Sequence, residues 1–318
     1  MKQKQFEHAH AAFWQQLEQS LADKKNTEEN FPAMYRQLCQ HFALARQRGY
    51  SPALTDYLHK LVHEGHLQLY GVAVDRPMVL HRWLLQTMPQ RVREEWRLML
   101  LAIVAFFGIG LGVFLLVWFQ PHWAYSFAEP HQLMKFQQMY QPDNIKIGRG
   151  GSEGDVAMFG FYIWNNVSID FRTFAAGIFA GVPSLISLAS NGMHFGVIAA
   201  WLSLDDSTRE TFWSFVITHS SFEVAGLLLA AVAGMRLGFS LLSPGRMTRR
   251  HALMAASQRM FPVLVGAAML TVIAAFFEGF WSASTSISAQ TKYVVGGIGW
   301  LIVIAYFVFA GRGRNDAA

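Results

Sequence analysis

The chain has 318 residues, 53% hydrophobic and only 15% charged, against roughly 25% charged in ordinary soluble domains. Charge crowds into residues 1–97 while long later stretches carry none, which excludes a uniformly water-soluble protein. The net charge of +5 fits basic loops flanking a membrane, so no nucleic-acid partner is expected, and the single cysteine, Cys39, rules out an intramolecular disulfide.

The first residues, MKQKQFEHAH, lack an apolar run. No cleavable signal peptide is expected, and an internal span would direct insertion. Phe6, Phe13, Trp14, Leu17 and Leu21 recur at helical spacing and predict a first helix ending near Lys24. Residues 26–30 read as a connection. A second helix is predicted over 31–48, with Pro32 in its first turn and Gly49 as its stop. Ser51 and Pro52 open a third helix with the buried stripe Leu54, Leu58, Leu61, Val62 and Leu69, ended by Gly71. A fourth segment, 77–97, leads into the membrane. Together these predict a small soluble helical bundle, residues 1–97, near the bilayer surface. His59, His63 and His66 share a face of the third helix. No carboxylate or cysteine set completes a metal site there, so an exposed or partner-facing side is the simpler assignment.

Residues 98–119 form a run of 22 without a charge, enough to cross a hydrocarbon core of roughly 30 Å. Residues 156–204 are 49 residues interrupted by polar groups; they are long enough for two spans, or for one span and a re-entrant piece. Further spans are predicted over 212–242, 261–281 and 293–310. Arg91, Arg93 and Arg97 precede the first span; Arg246, Arg249, Arg250 and Arg259 lie between 242 and 261; Arg312 and Arg314 follow the last. If the basic loops are cytoplasmic, both termini are inside and the number of crossings is even. The fold class expected is all-α: about six transmembrane helices, residues 98–318, behind the soluble bundle. The loop 120–155 is then external, and Leu133, Phe136, Met139 and Tyr140 predict a short amphipathic helix lying on the outer surface. Residues 148–152, GRGGS, read as a flexible turn and not as a phosphate loop.

Polar groups inside a bilayer need a partner or a role. The candidate intramembrane site comprises Asn165, Asn166, Asp170, Arg172, Asn191, His194, His219, Glu223 and Glu278. His219 and Glu223 stand four residues apart on one helix face. Three readings follow: mutual pairing that holds helices together, a pathway or pocket for an ion, proton or lipid headgroup, and metal ligation by His219, Glu223 and Glu278 for intramembrane hydrolysis. No HExxH is present. The residue types point to no catalytic residue, no resident metal and no cofactor. The pairs Gly177/Gly181, Gly192/Gly196 and Gly234/Gly238 predict close helix contacts, within the chain or across a homo-oligomer.

Several stretches carry a family resemblance: FPAMYRQLCQHFALARQRGYSPAL and GHLQLYG near the start, AMFGFYIWNNVSIDFRTFAAGI and SNGMHFG in the middle, and ETFWSFVITHSSFEVAG, MRLG, SPGRMTRR and FFEGFWSAS later. The chain resembles the stage II sporulation protein M family, in the form found outside spore-formers. That resemblance implies a multi-pass protein of the bacterial inner membrane. The sporulation member sits in a membrane complex with peptidoglycan-degrading partners during engulfment, as an anchor and not the hydrolase; this chain departs from it in its long soluble N-terminal part. Relatives in non-sporulating bacteria are often encoded near a MoxR-type ATPase. The function expected is a non-enzymatic scaffold or anchor in a cell-envelope complex, contacting the lipid bilayer and membrane or envelope protein partners. The alternatives are a transporter or lipid-handling protein, and an intramembrane metal-dependent hydrolase.

Overall fold

The computed structural model describes residues 2–22, 30–70, 82–149 and 154–312. The chain divides into two compact units, Met1–Arg76 and Pro77–Ala318. The boundary therefore falls earlier than residue 97. Met88 and Val92 are buried against Leu229, Ala230, Met260 and Val263, so the approach to the first span belongs to the second unit. The predicted ends near Lys24 and Gly71, the connection 26–29 and the turn residues 150–152 lie outside the described residues.

In the first unit, α1 (Gln3–Ala22), α2 (Phe31–Gln47) and α3 (Pro52–Tyr70) follow the expected periodicity. Phe6, Trp14 and Leu17 meet Met34, Leu38, Leu58 and Leu61 in one core. Gly49, at φ +62°, takes the left-handed position that ends many helices. His41 is buried and accepts a 3.1 Å hydrogen bond at Nδ1 from Trp14 Nε1. Burial, with His10 beside it, pushes its pKa down to about 4. His59, His63 and His66 are all exposed, and His59 stacks on Phe42 at 5.5 Å.

The second unit begins with a π-helical turn, Trp83–Thr87, and α4 (Met88–Glu94). It continues through α5 (Trp96–Phe119), α6 (Pro130–Met139), α7 (Asp155–Ala176), α8 (Val182–Leu204), α9 (Asp206–Leu242), α10 (Arg249–Ser282) and α11 (Ala289–Phe309). Five of these, α5 and α8 to α11, are long and apolar enough to cross a membrane. With 22 residues, α7 is also long enough, about 33 Å at about 1.5 Å per residue. Its polar residues keep it below the apolarity of the others, yet its burial is inverted relative to a soluble helix. Phe161, Trp164 and Phe171 face outward, whereas Tyr162, Asn166, Asp170 and Thr173 face inward. An apolar exterior around a polar interior suits lipid. Residues 156–204 thus form two helices joined by a turn in which Ala180 and Gly181 take φ of 60° and 74°.

All three glycine pairs lie at contacts within the chain. A Cβ at Gly234 would meet the Phe174 carbonyl, and one at Gly238 the backbone of Gly177 and Gly181. A Cβ at Gly192 or Gly196 would meet the carbonyls of Phe106 and Gly110 on α5. Backbones approach this closely only where both helices carry small residues. At one end of the bundle, here the terminal end, Gln90 donates to the Gly311 carbonyl and Arg93 to the Phe307 carbonyl, both at 2.9 Å. There Glu95, buried, meets Arg236 at 3.2 Å and Arg259 at 3.0 Å, and Glu94 meets Arg259 at 2.9 Å.

At the opposite end, α6 forms where the amphipathic pattern predicts it. It does not merely rest on a surface: Leu133 and Tyr140 are buried against α8 and α9, among Val197, Phe212 and Phe215. The following segment is pinned by Ile147 N donating to the Ala283 carbonyl at 3.1 Å and Gly148 N to the Met139 carbonyl at 2.8 Å. Leu100, Leu111, Phe119, Ile186, Phe261 and Leu301 are exposed around the unit, an apolar belt for contact with lipid.

Candidate functional site

The inward stripe of α7 follows helical arithmetic. Tyr162, Asn166, Asp170 and Thr173 recur at i, i+4, i+8 and i+11, so one face of an otherwise apolar helix is polar. That face meets α9 and α10. On α9, His219 and Glu223 share a face, and His219 Nε2 stands 3.7 Å from Glu223 Oε2. On α10, regular helix gives way at its end to a π-helical turn, Glu278–Ser282. Such turns re-aim side chains and are frequent at functional sites. This one supplies both Glu278 and Ser282.

The ligand-type atoms of His219, Glu223 and Glu278 all lie within 4.8 Å of one another. Around them is a ring of hydrogen bonds. His219 Nδ1 lies 3.0 Å from Ser282 Oγ. Ser282 Oγ lies 3.1 Å from the Phe277 carbonyl oxygen, and Thr218 Oγ1, in contact with Ser282 Oγ, lies 2.8 Å from the Phe215 carbonyl oxygen. Asn166 Nδ2 donates to Glu278 Oε2 at 3.4 Å, and Asn165 Nδ2 to Asn166 Oδ1 at 2.8 Å. Toward the terminal end, Asp170 accepts from Thr271 Oγ1. Beyond it, α7 and α9 close on each other at Gly177 and Gly234.

Toward the α6 end, Arg149 ion-pairs with Asp155 at 2.6 Å and donates to the Gly279 carbonyl. Lys292, buried in the first turn of α11, donates to the Ser282 carbonyl at 2.7 Å. Arg149 and Tyr162 also line a cavity of about 760 Å3 with Lys135, Phe136, Met158 and His194. His219 is buried, yet the Glu223 side chain keeps 38% of its surface. The polar face of α7 thus runs from Tyr162 in the cavity wall through Asn166, bonded to Glu278, to Asp170, short of the glycine contact.

The structure brings together Asn165, Asn166, Asp170, His219, Glu223 and Glu278 of the predicted set. It leaves three out. Arg172 is exposed and donates to the Ser168 carbonyl at 3.1 Å; the same α7 face carries Phe171 and Trp164, so helical phase turns it from the centre. Asn191 donates to the Ser187 carbonyl at 2.8 Å. His194 faces Phe136 at 6.0 Å in the cavity wall. Sequence reasoning passed over Tyr162, Thr218, Thr271, Ser282, Arg149 and Lys292. The i, i+4 repeat through Tyr162, Asn166 and Asp170 was a usable signal. Nothing local marks Arg149 or Lys292, which arrive from loops and helix ends.

A family model described as "Stage II sporulation protein M" matches residues 98–283. The chain belongs to the stage II sporulation protein M family. A second model, a domain of unknown function (DUF8413), matches residues 4–71, within the first compact unit. An uncharacterised protein of Methanocaldococcus jannaschii is 29% identical over 77 residues, 24% of this chain and 43% of that relative. The chain thus aligns with less than half of that relative's length. No solved structure matches the chain.

Proposed function

We propose that this family member is a cation-handling membrane protein, in which a proton or metal ion reaches His219, Glu223 and Glu278 from the α6 end of the bundle. The observation that carries this reading is the polar face of α7, which runs from Tyr162 in the cavity wall to Asn166 beside Glu278. Two carboxylates and one imidazole converge there, while Arg149 and Lys292 bind Asp155 and backbone carbonyls. Groups kept only as interhelical glue would be covered on all sides by protein, whereas the Glu223 side chain keeps 38% of its surface uncovered. In this account the protein is not an enzyme.

An envelope-assembly role is the second reading, and it is compatible with the first. It rests on the separate unit, matched by its own family model, and on the basic residues Arg91, Arg93, Arg246, Arg249 and Arg250 at the terminal end. By the positive-inside rule that end is cytoplasmic. Both termini then lie in the cytoplasm and the host membrane is the bacterial inner membrane. Scaffold or anchor contacts with other membrane proteins, or with a second copy, would use the first unit.

Cysteine accessibility tests the path. In a Cys39→Ser background, Tyr162→Cys and Asn166→Cys should react with a membrane-impermeant thiosulfonate applied from the α6 side. Ala230→Cys, buried where the bundle is packed closed, should not. Inertness of Asn166→Cys from both faces, or reaction only from the terminal end, would refute the reading.

A further inference from the structure

We propose that His219, Glu223 and Glu278 form a binding site for a divalent transition-metal ion, with Zn2+ and Mn2+ the ions that the donor set fits. This deepens the cation-handling reading and rests on it only for the route by which the ion arrives.

Ligands of a tetrahedral ion with bonds of roughly 2.0–2.1 Å sit about 3.4 Å apart. The three donor atoms here already lie within 4.8 Å of one another, and His219 Nε2 and Glu223 Oε2 are 3.7 Å apart. Glutamate has three side-chain torsions, so moves of about 1 Å by the two partly exposed carboxylates close the remaining gap. A water molecule would complete the coordination of an ion bound there.

Thr218 Oγ1 and Ser282 Oγ are in contact, so one hydroxyl donates to the other. With the Ser282 hydrogen on the Phe277 carbonyl or on Thr218, Ser282 Oγ accepts from His219 Nδ1, and Nε2 turns its lone pair toward Glu223 Oε2, 3.7 Å away. A cation between the imidazole and an ionised Glu223 carboxylate satisfies both acceptors.

Metal-bound imidazoles almost always donate their second N–H to a fixed partner, and ligating carboxylates are themselves hydrogen-bonded. Ser282 Oγ, 3.0 Å from His219 Nδ1, stands where such a partner sits, and Asn166 donates to Glu278. One imidazole with two carboxylates is borderline in softness: carboxylates suit Mg2+, Ca2+ and Mn2+, while imidazole suits Zn2+, so the mixed set fits Zn2+ and Mn2+.

The experiment uses the full chain in lipid nanodiscs, with His59, His63 and His66 changed to Ala to remove the exposed imidazoles that share a face of α3. After chelation and dialysis, Zn2+ and Mn2+ are titrated calorimetrically, and retained metal is counted by mass spectrometry. One ion per chain is expected. Zn K-edge absorption of this protein should show one imidazole and oxygen ligands at roughly 2.0–2.1 Å. Glu223→Gln and Glu278→Gln should each abolish retention. Ser282→Ala keeps every ligand and should weaken affinity roughly 10–100-fold. Failure to retain metal, or retention unchanged in both glutamine variants, overturns the site. If Asn166→Cys labels from the α6 side but no metal binds, the centre takes protons and the metal proposal alone fails. If metal binds while Asn166→Cys stays inert, the site stands and the open route fails.

Discussion

Gly234→Ala should destabilise the membrane unit although alanine is the better helix former. A Cβ at Gly234 would press on the Phe174 carbonyl oxygen and stand 3.0 Å from both Phe174 C and Phe174 Cα. These are backbone atoms, so no side chain can swing aside, and α7 must retreat by roughly half an ångström or more to reach ordinary contact. Overpacking of this kind costs about 1–3 kcal/mol, against a helix-propensity gain of at most about 1 kcal/mol. The net expectation is a loss of about 0–2 kcal/mol against wild type and about 1–3 kcal/mol against a glycine-to-alanine change in open space, which takes the same propensity gain. Gly160→Ala on α7 and Gly112→Ala on α5 supply the control, because a Cβ at either meets nothing within 4 Å; both should be neutral or slightly stabilising. Gly177→Ala presses on the same contact from the other side. The double variant with Gly234→Ala should therefore lose less than the sum of the two. Denaturant unfolding in one fixed detergent reads all five. If Gly234→Ala is as stable as Gly160→Ala, the close approach of α7 and α9 is wrong, and with it the placement of Asn166 and Asp170.

Three further outcomes are expected. The pKa of His41, about 4 in the folded unit, lies below the ordinary 6.5. The unfolded chain therefore takes up the proton first: stability is full above about pH 6.5 and declines as pH falls toward 4. Hydrogen exchange of α2 amides should be faster relative to its intrinsic rate at pH 5 than at pH 7, and His41→Gln should flatten that difference. Asp205 caps α9, accepting from Ser207 N at 2.9 Å and from Gln137 Nε2 at 2.6 Å. These bonds, Ser207 foremost, hold its carboxyl below the usual range, so their contribution is present above the unfolded pKa and is lost as pH falls. Asp205→Ala should cost about 1 kcal/mol at neutral pH, and the deficit against wild type should shrink in acid unfolding. Glu95→Gln leaves Arg236 and Arg259 facing each other without their shared carboxylate. Since both arginines are about one-third exposed, a loss of about 1–3 kcal/mol is expected, below that of a fully buried pair; an unchanged unfolding midpoint would count against that network.

The helices and their lipid-facing character were legible in the chain because a 3.6-residue period and uninterrupted apolar runs are local properties. The phase of α7 was harder. Asn165, Asn166, Asp170 and Arg172 look alike as polar interruptions, and only the alternation with Phe161, Trp164 and Phe171 separates the inward residues from Arg172. His219 and Glu223 share a helix face by arithmetic. That Glu278 joins them depends on a π-helical turn, which has no sequence signature of its own, and on the antiparallel register of α9 and α10. The end of the soluble bundle was misplaced because Met88 and Val92 read equally well as the inner face of a soluble helix. Their partners, Leu229 and Met260, lie far along the chain.

The most direct test of a cation-handling centre is flux. The purified chain is reconstituted into liposomes holding a pH-sensitive dye or a Zn2+-sensitive dye, and a proton or Zn2+ gradient is imposed. The account predicts movement above protein-free vesicles, lost in Glu223→Gln and kept in Arg172→Gln, whose side chain lies away from the centre. Flux equal to that of empty vesicles for both ions, or flux indifferent to Glu223→Gln, would contradict it.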